Sequence, residues 1–189
     1  MKVISGKFKG RLIEINSKNN FRPTLSRIRE DLFNLLEHNS KLNVELESAI
    51  FCDLFCGSGS IGIEALSRGA KKVIFNDIEY SNIEPIKEFL QKTKTANFEI
   101  FNINGYNQKN AILEECDILY LDPPYDHDLN FLEENIFNQI SKDCLVILEC
   151  NQRFTHQNIL VEKNYKNKNL YIFIINYFYL YLNLNWSIK

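Results

Sequence analysis

The sequence lacks the residue patterns from which metal sites and hydrolytic triads are built. Its three histidines are spread along the chain, and none of its five cysteines forms a C-x-x-C pair. Most of the cysteines lie in apolar runs, which favours buried, reduced thiols over a disulfide framework or a zinc site. The first residues contain no long apolar stretch, so we expect no secretory signal, a cytoplasmic protein and no metal.

Charge is absent from Leu170 to Ile188, a stretch crowded with tyrosine, phenylalanine, leucine and isoleucine. A transmembrane helix needs about 20 apolar residues, but three asparagines interrupt this stretch, and its β-forming residues favour a strand. We therefore expect no membrane contact. The pattern predicts a buried strand to about residue 176, followed by an extension, 176–189, to which it assigns no role.

Basic residues are concentrated at the start of the chain, although the net charge is only −2. Residues 1–31 hold eight lysines and arginines and three acids, so this segment carries +5 and the remainder −7. Loose alternation over residues 3–15 predicts a short basic hairpin, and the apolar spacing after residue 24 predicts a helix. A basic end on an acidic chain indicates a polyanionic partner, with a solvated basic terminus as the alternative.

From residue 50 onwards the pattern alternates between strands and helices, which predicts a parallel sheet covered on both faces. The fold class is α/β: a doubly wound, mostly parallel seven-stranded sheet with a C-terminal antiparallel hairpin, plus a small basic N-terminal hairpin and helix. We expect three parts: 1–40, the basic part; 41–175, the sheet domain; and 176–189, the extension. The predicted strands are 50–55, 72–76, 98–103, 117–121, 145–150, 158–163 and 169–176, and the predicted helices are 60–68, 82–94, 107–115 and 129–140.

A glycine-rich segment, Gly57 to Gly62, follows the first strand and matches G-x-G-x-x-G. Such a turn places backbone N–H groups and a helix N-terminus at the carboxyl end of a strand, where ligands bind in open α/β sheets. Twenty residues after Gly57 comes Asp77, at the spacing of an acid that accepts hydrogen bonds from ribose hydroxyls. These residues fit either NAD or S-adenosylmethionine, and a turn without a ligand is the alternative.

The fourth predicted strand ends in Asp122-Pro123-Pro124-Tyr125. Two prolines fix φ and remove two N–H donors, which leaves the Asp122 carboxylate and the Pro123 carbonyl as acceptors. Two acceptors can hold both hydrogens of an exocyclic base amine, and Tyr125 offers a flat face for stacking. The segment therefore favours methylation of an amino nitrogen over hydride transfer, with a proline turn of no function as the alternative. His127, two residues on, either lines this site or is a solvated loop residue.

Together these motifs resemble the S-adenosylmethionine-dependent N-methyltransferases, which have a Rossmann-like fold. The chain to about residue 175 is similar to the small-subunit ribosomal RNA guanine-N2 methyltransferases, the RsmD family. The basic N-terminal block narrows the resemblance to this family, because the other motifs are shared more widely. The residues that carry it are Ile4–Arg11, Phe21–Thr24, Arg27–Glu30, Leu32–Asn34, Asp53–Gly59 with Gly62, Glu64–Ala70 and Asp122–Tyr125.

The resemblance implies a monomeric enzyme that transfers a methyl group from S-adenosylmethionine to N2 of a guanine in 16S ribosomal RNA. The RNA would be presented within an assembled or late-assembling small subunit, and transfer would be one in-line displacement. The implied catalytic residues are Asp122, Pro123, Pro124 and Tyr125. The implied cofactor-binding residues are Asp53, Phe55, Gly57, Gly59, Gly62, Asp77, Ile78, Asn104, Gly105 and Thr24. The candidate RNA contacts are Lys7, Lys9, Arg11, Arg22, Arg27 and Arg29.

Three rival interpretations stay open at this point. A DNA adenine-N6 or protein-glutamine methyltransferase would share the cofactor turn and a similar Pro-Pro-Tyr site. A NAD-dependent oxidoreductase would share the turn and Asp77, but it would not need a rim of acceptors only. A non-catalytic RNA-binding module would keep the basic end of the chain and form no methylated product.

Overall fold

The computed structural model describes residues 1–14, 26–106, 111–124, 129–140 and 142–175. The chain divides into two compact units, Met1–Gly105 and Tyr106–Lys189. The strands of both units belong to a seven-stranded, mostly parallel sheet, which confirms the predicted α/β fold class. The predicted division at residues 40 and 175 stays a prediction, and the extension 176–189 lies outside the described residues.

The first unit contains three parallel strands: β1 (Ile50–Asp53), β2 (Lys72–Asn76) and β3 (Phe98–Phe101). They pair in the order β3-β2-β1. The helices of this unit are α1 (Ser26–His38), α2 (Ser60–Ser67) and α3 (Tyr80–Lys92). All eight residues of α2 are buried, so every face of this helix is covered by other parts of the protein.

The basic N-terminal segment forms the predicted short hairpin. Lys2 and Leu12 form an antiparallel bridge, and the Val3 N–H donates to the Arg11 carbonyl at 3.0 Å. A 3-10 turn, Gly6–Phe8, lies at the tip, and its Phe8 side chain is buried. The hairpin therefore has one face in the core and one basic face in solvent.

The second unit contains β4 (Ile118–Leu121), β5 (Cys144–Cys150), β6 (Ile159–Asn164) and β7 (Asn169–Ile175), in the order β4-β5-β7-β6. Strand β5 is parallel to β4, and β7 is antiparallel to both β5 and β6, which confirms the C-terminal hairpin. The helices are α4 (Ala111–Glu115) and α5 (Leu129–Asn135). The predicted helix 129–140 is thus shorter, and a 3-10 turn, Phe137–Gln139, follows it.

The structure also shows where Gly69, Pro85 and the free cysteines lie. Gly69, with φ +102°, lies just after the end of α2. Helix α3 begins at Tyr80 and not at the predicted residue 82, so Pro85 lies in its second turn. Three cysteines are buried free thiols (Cys56, Cys144 and Cys150). None of the helices within the described ranges is long and apolar enough to span a membrane.

Candidate active site

Two glycines with left-handed backbones shape the turn between β1 and α2. Gly57 has φ +49° and Gly59 has φ +69°, a region that other residues rarely adopt. The Ile63 N–H donates to the Gly59 carbonyl at 2.9 Å and so starts the helix. A Cβ on Gly59 would lie 2.6 Å from Cγ1 of Ile86. The turn therefore requires glycine both for its backbone conformation and for its packing.

The Asp77 carboxylate lies against this turn. Its Oδ2 accepts the Gly57 N–H at 2.8 Å, and its Oδ1 accepts the Glu79 N–H at 2.9 Å and the Asn82 side-chain amide at 3.0 Å. A carboxylate oxygen has about two lone pairs, so Oδ2 can accept a further donor, such as a ribose hydroxyl. The structure thus brings together the glycine turn and the acid that the sequence placed twenty residues later.

Asn76, the last residue of β2, was not singled out from the sequence. Its side-chain amide donates to the Leu54 carbonyl at 3.0 Å and to the Ile103 carbonyl at 3.1 Å. Its side-chain oxygen accepts the Ile103 N–H at 3.2 Å. This buried side chain connects the segments that follow β1 and β3. It also fixes the end of β2, directly before Asp77. The only sequence signal for it is a polar residue that ends an apolar strand.

Asp53 ends β1 and is buried, with 1% of its surface exposed. Its Oδ2 accepts the N–H of Gly62 at 3.0 Å, in the first turn of α2. A carboxylate at a helix N-terminus is favoured both by the hydrogen bond and by the helix dipole. A Cβ on Gly62 would lie 2.3 Å from the Phe75 ring. Asp53 and Gly62 therefore fix the helix against the sheet, which holds the glycine turn in place.

The remaining predicted cofactor residues lie near the carboxyl ends of β1, β2 and β3. Ile78 is 63% exposed, a high value for a large apolar side chain, and Ile103 is 37% exposed. Gly105 packs close to Phe55, whose ring would lie 2.9 Å from a Cβ at position 105. Asn104 is exposed. Thr24 lies outside the described residues.

In the second unit, Asp122 follows β4, is half-buried, and belongs to a cluster of polar groups whose other members are buried. The Lys168 ammonium donates to both of its carboxylate oxygens, at 3.0 Å and 2.9 Å. Lys168 also pairs with Glu149, which lies on β5 and accepts the Tyr120 hydroxyl. Pro123 is buried and Pro124 exposed, whereas Tyr125 and His127 lie outside the described residues. Sequence reasoning missed Lys168 and Glu149, although an acid within the apolar strand β5 was a signal.

Burial shifts the ionisation of this cluster. The pKa of Asp122 is raised to about 6: desolvation by burial contributes most to the increase and the Glu149 charge adds to it, while Lys168 opposes both. Burial alone would lower the pKa of Lys168, but the charges of Asp122 and Glu149 raise it above its usual value. At neutral pH Asp122 is therefore an ionised carboxylate that is more basic than an ordinary aspartate.

The basic hairpin is fixed to α2 by hydrogen bonds from its backbone. The Glu64 carboxylate accepts the N–H groups of Ile4 at 2.8 Å and Ser5 at 2.9 Å. The Ser67 hydroxyl accepts the Phe8 N–H at 2.9 Å and donates to the Ser5 carbonyl. The helix that begins at the glycine turn therefore holds the basic hairpin along its later residues. Four candidate RNA contacts are exposed: Lys7, Lys9, Arg11 and Arg27.

Arg29 was predicted to contact RNA, but its side chain is buried. Only 1% of its surface is exposed, and its guanidinium donates to the Lys2 carbonyl and the Met1 sulfur, both at 2.8 Å. Its Nε also lies 3.8 Å from the Glu64 carboxylate. Because its side chain is buried against these partners, Arg29 has a structural role and is not available to contact RNA. Arg22 lies outside the described residues.

Comparisons with known proteins agree with this arrangement. A family model described as "Conserved hypothetical protein 95" matches residues 1–174. The chain is 34% identical over 175 residues to a protein named ribosomal RNA small subunit methyltransferase D from Buchnera aphidicola subsp. Acyrthosiphon pisum, over 88% of this chain and 86% of that protein. A protein of the same name from Buchnera aphidicola subsp. Baizongia pistaciae is 30% identical over 195 residues, over 98% of this chain and 93% of that protein.

Two solved structures share the fold. "Putative methyltransferase yhhF from Escherichia coli" superposes with a TM-score of 0.74 at 25% identity, over 93% of this chain and 98% of that chain. An RNA methyltransferase from Salinibacter ruber, in complex with S-adenosyl-L-homocysteine, superposes with a TM-score of 0.62 at 18% identity, over 82% and 94% of the two chains. The second likeness shows the fold alone.

Proposed function

The chain belongs to the family described as Conserved hypothetical protein 95, that of the ribosomal RNA small subunit methyltransferases D, and on this basis we propose that it methylates the exocyclic N2 amine of a guanine in small-subunit ribosomal RNA. S-adenosylmethionine is the methyl donor in this proposal. The observation that carries it is the Asp122 carboxylate, which is held by Lys168 and followed by two prolines.

The residues of the first unit fit S-adenosylmethionine. The Gly57–Gly59 turn offers bare backbone beside a helix N-terminus, Asp77 offers an acceptor for a ribose hydroxyl, and Ile78 offers exposed apolar surface for an adenine ring. We propose that these three features hold the methionine, ribose and adenine parts, respectively. When bound, S-adenosylmethionine supplies a methyl group on a positively charged sulfur, so the acceptor amine needs no prior activation.

Asp122 and Pro123 orient the amine in this mechanism. The Asp122 carboxylate and the Pro123 carbonyl each accept one hydrogen of the amine, which aims the nitrogen lone pair away from both oxygens. As the new N–C bond forms, positive charge grows on the nitrogen and the carboxylate stabilises it. Asp122 then accepts one proton and passes it to water. Positioning of this kind can lower a barrier by about 7–11 kcal/mol.

The exposed basic residues Lys7, Lys9, Arg11 and Arg27 serve as phosphate contacts in the proposal. Contacts to phosphate fix the position of an RNA without reading its bases. The target guanine has to leave its stack to reach an enzyme pocket, at a cost of a few kcal/mol. The rigid attachment of the hairpin to Glu64 and Ser67 supports this role, because fixed cations recognise a particular arrangement of phosphates.

Mass mapping of ribosomal RNA tests this function. RNA from cells that lack the protein should miss one N2-methylguanosine of the small-subunit RNA, and the wild-type gene should restore it. An Asp122→Asn variant should not restore it, although it should bind S-adenosylmethionine with unchanged affinity. Parallel assays of the purified protein with ribosomal RNA, duplex DNA and protein substrates separate the alternatives. Methylated adenine in DNA or methylated glutamine in protein, without methylated guanine in RNA, would contradict the proposal.

A further inference from the structure

We propose that Lys168 is a positioning residue for methyl transfer: its ammonium group fixes the Asp122 carboxylate in its ionised form, in charge balance with Glu149. This inference rests on the proposed function, because it assumes that Asp122 receives the substrate amine. It adds three residues to the site, Lys168, Glu149 and Tyr120, none of which belongs to the Asp-Pro-Pro-Tyr segment.

The geometry of Lys168 supports this role. Its Nζ contacts both carboxylate oxygens of Asp122, at 2.9 Å and 3.0 Å, so the carboxylate is held by both oxygens and not by one. Lys168 ends the turn between β6 and β7, and the Tyr165 N–H donates to the Lys168 carbonyl at 2.7 Å. Its side chain is only 9% exposed. A long, flexible side chain is thus held in one conformation, with its charge on protein oxygens.

Glu149 supplies the balancing charge. It is fully buried on β5, pairs with Lys168 and accepts the Tyr120 hydroxyl from β4. One cation therefore lies between two carboxylates, and the three charges sum to −1 when all are ionised. A net negative charge favours the positive charge that develops on an amine during methylation. Without Lys168, the half-buried Asp122 carboxylate would face the buried Glu149 carboxylate, and one of them would take up a proton.

Lys168 also leaves Asp122 able to bind a substrate. Two hydrogen bonds from one ammonium use about one lone pair on each carboxylate oxygen, so each oxygen keeps about one more. A further titratable group near Asp122, besides Lys168, Glu149 and the Tyr120 hydroxyl, is Cys150 on β5. Burial raises the pKa of the Cys150 thiol to about 11, so it stays neutral where the enzyme works. The charge of Asp122 is therefore governed by burial, Glu149 and Lys168.

The experiment is the pH dependence of the single-turnover rate of methyl transfer to small-subunit ribosomal RNA, with S-adenosylmethionine and RNA saturating. In a Lys168→Met variant the midpoint of the rise in rate should move to higher pH by about one to three units, as expected for loss of an adjacent opposite charge. At pH 7 the rate should then fall by about 2- to 100-fold, and it should recover in part at pH 9. The Lys168→Arg variant should keep a midpoint near that of the wild type.

A matched control and an opposite change sharpen the test. Lys166→Met makes the same substitution at an exposed position in the same turn, and its profile should match that of the wild type. Glu149→Gln removes the charge that raises the pKa of Asp122, so its midpoint should move to lower pH. If Lys168→Met does not fold, the double variant Lys168→Met/Glu149→Gln removes both buried charges, and its midpoint should lie above that of Glu149→Gln, which keeps the Lys168 charge; equal midpoints for these two variants would overturn the inference.

Two failures can be told apart. If Lys168→Met lowers the plateau of the rate but leaves the midpoint in place, Lys168 is merely structural and the inference is overturned, while the proposed function stands. If the wild-type protein methylates no guanine of the RNA at any pH, the proposed function fails and this inference fails with it. A midpoint that moves up in Lys168→Met and down in Glu149→Gln supports the inference.

Discussion

The Nε atom of Arg29 lies 3.8 Å from the Glu64 carboxylate, and both side chains are 99% removed from solvent. The same carboxylate accepts hydrogen bonds from the backbone N–H groups of Ile4 and Ser5, and from the Nε–H group of Arg68 at 2.9 Å. One acid on α2 thus organises the start of the chain, α1 and the end of its own helix. The basic hairpin is fixed by a buried ionic network and not by apolar contact alone.

Replacing Arg29 by methionine should lower the free energy of unfolding by about 3 kcal/mol. The variant removes one partner of a buried ion pair and leaves Glu64 with less compensation for its burial. Urea unfolding followed by circular dichroism measures the difference. The control is Arg27→Met on the same helix, where the side chain is exposed and the expected change is within about 0.5 kcal/mol. Equal costs for the two variants would refute a structural role specific to Arg29.

Gly6→Ala and Gly10→Ala form a matched pair in the basic hairpin. Both glycines have positive φ, +76° and +83°, so alanine costs about 1–2 kcal/mol in backbone strain at either position. A Cβ on Gly6 would also lie 1.8 Å from the Ser67 carbonyl oxygen, whereas a Cβ on Gly10 would meet nothing within 4 Å. We expect Gly6→Ala alone to detach the hairpin from α2 and to weaken RNA binding at least fivefold more than Gly10→Ala. S-adenosylmethionine affinity, measured by calorimetry, should change little in either variant.

Much of the fold was predictable, because the periodicity of apolar residues and the spacing of the motifs along the chain determine it. The apolar run 72–76 was predicted as a strand and is β2, and the last two predicted strands do form the antiparallel hairpin of β6 and β7. The Gly57 and Asp77 pair was also predictable, since both follow strands that are neighbours in the sheet. In these cases, local sequence decides the element, and parallel pairing brings the strand ends to one edge.

The residues that sequence reasoning missed depend on distant partners. Lys168 contacts Asp122 across 46 positions of sequence, and that contact requires the pairing of β5 with β7, which places Cys150 opposite Asn169. No local pattern contains this register. Arg29 was predicted to be exposed because a charged residue in a basic segment is usually solvated. Its burial follows from Glu64, a carboxylate on another helix, which the composition of α1 does not indicate.

Asp77→Asn should weaken S-adenosylmethionine binding at least tenfold, as judged by isothermal titration. The carboxylate accepts the Gly57 N–H at 2.8 Å, and the amide that replaces it has only one oxygen, so a ribose hydroxyl loses a charged acceptor. Hydrogen bonds to charged groups contribute about 1.5–3 kcal/mol. Glu99→Gln is the control, because it removes one negative charge on β3 at a surface pair with Lys72 and should leave the affinity unchanged. If Asp77→Asn bound as tightly as wild type, the ribose would lie elsewhere.

Lys9→Ala combined with Arg11→Ala should weaken RNA binding and flatten its dependence on salt. Each phosphate contact that is lost lowers the slope of log affinity against log salt by about 0.7–0.9, so the slope should fall by about 1.5 for the pair. The double variant Lys41→Ala/Lys71→Ala removes the same charge from exposed positions outside the basic segment. Filter binding at salt concentrations from about 50 to 200 mM compares the salt dependence of RNA binding by the two double variants. Equal slopes for both double variants would move the RNA contact away from the hairpin.

Methyl transfer by the wild-type protein should depend on one ionisation with a midpoint near the pKa of Asp122, which burial raises to about 6. Only the carboxylate form can accept both the amine hydrogen and the proton that leaves, so the rate rises with pH through this midpoint and levels off above it. Well below the midpoint the single-turnover rate should fall about tenfold per pH unit, because the ionised fraction falls tenfold. An ordinary aspartate would instead place the midpoint near 4, so a profile flat from pH 5 to 8 would show that the pKa of Asp122 is not raised in this way. S-adenosylmethionine affinity measured over the same range provides the control, since a loss of cofactor at low pH would lower the rate for another reason.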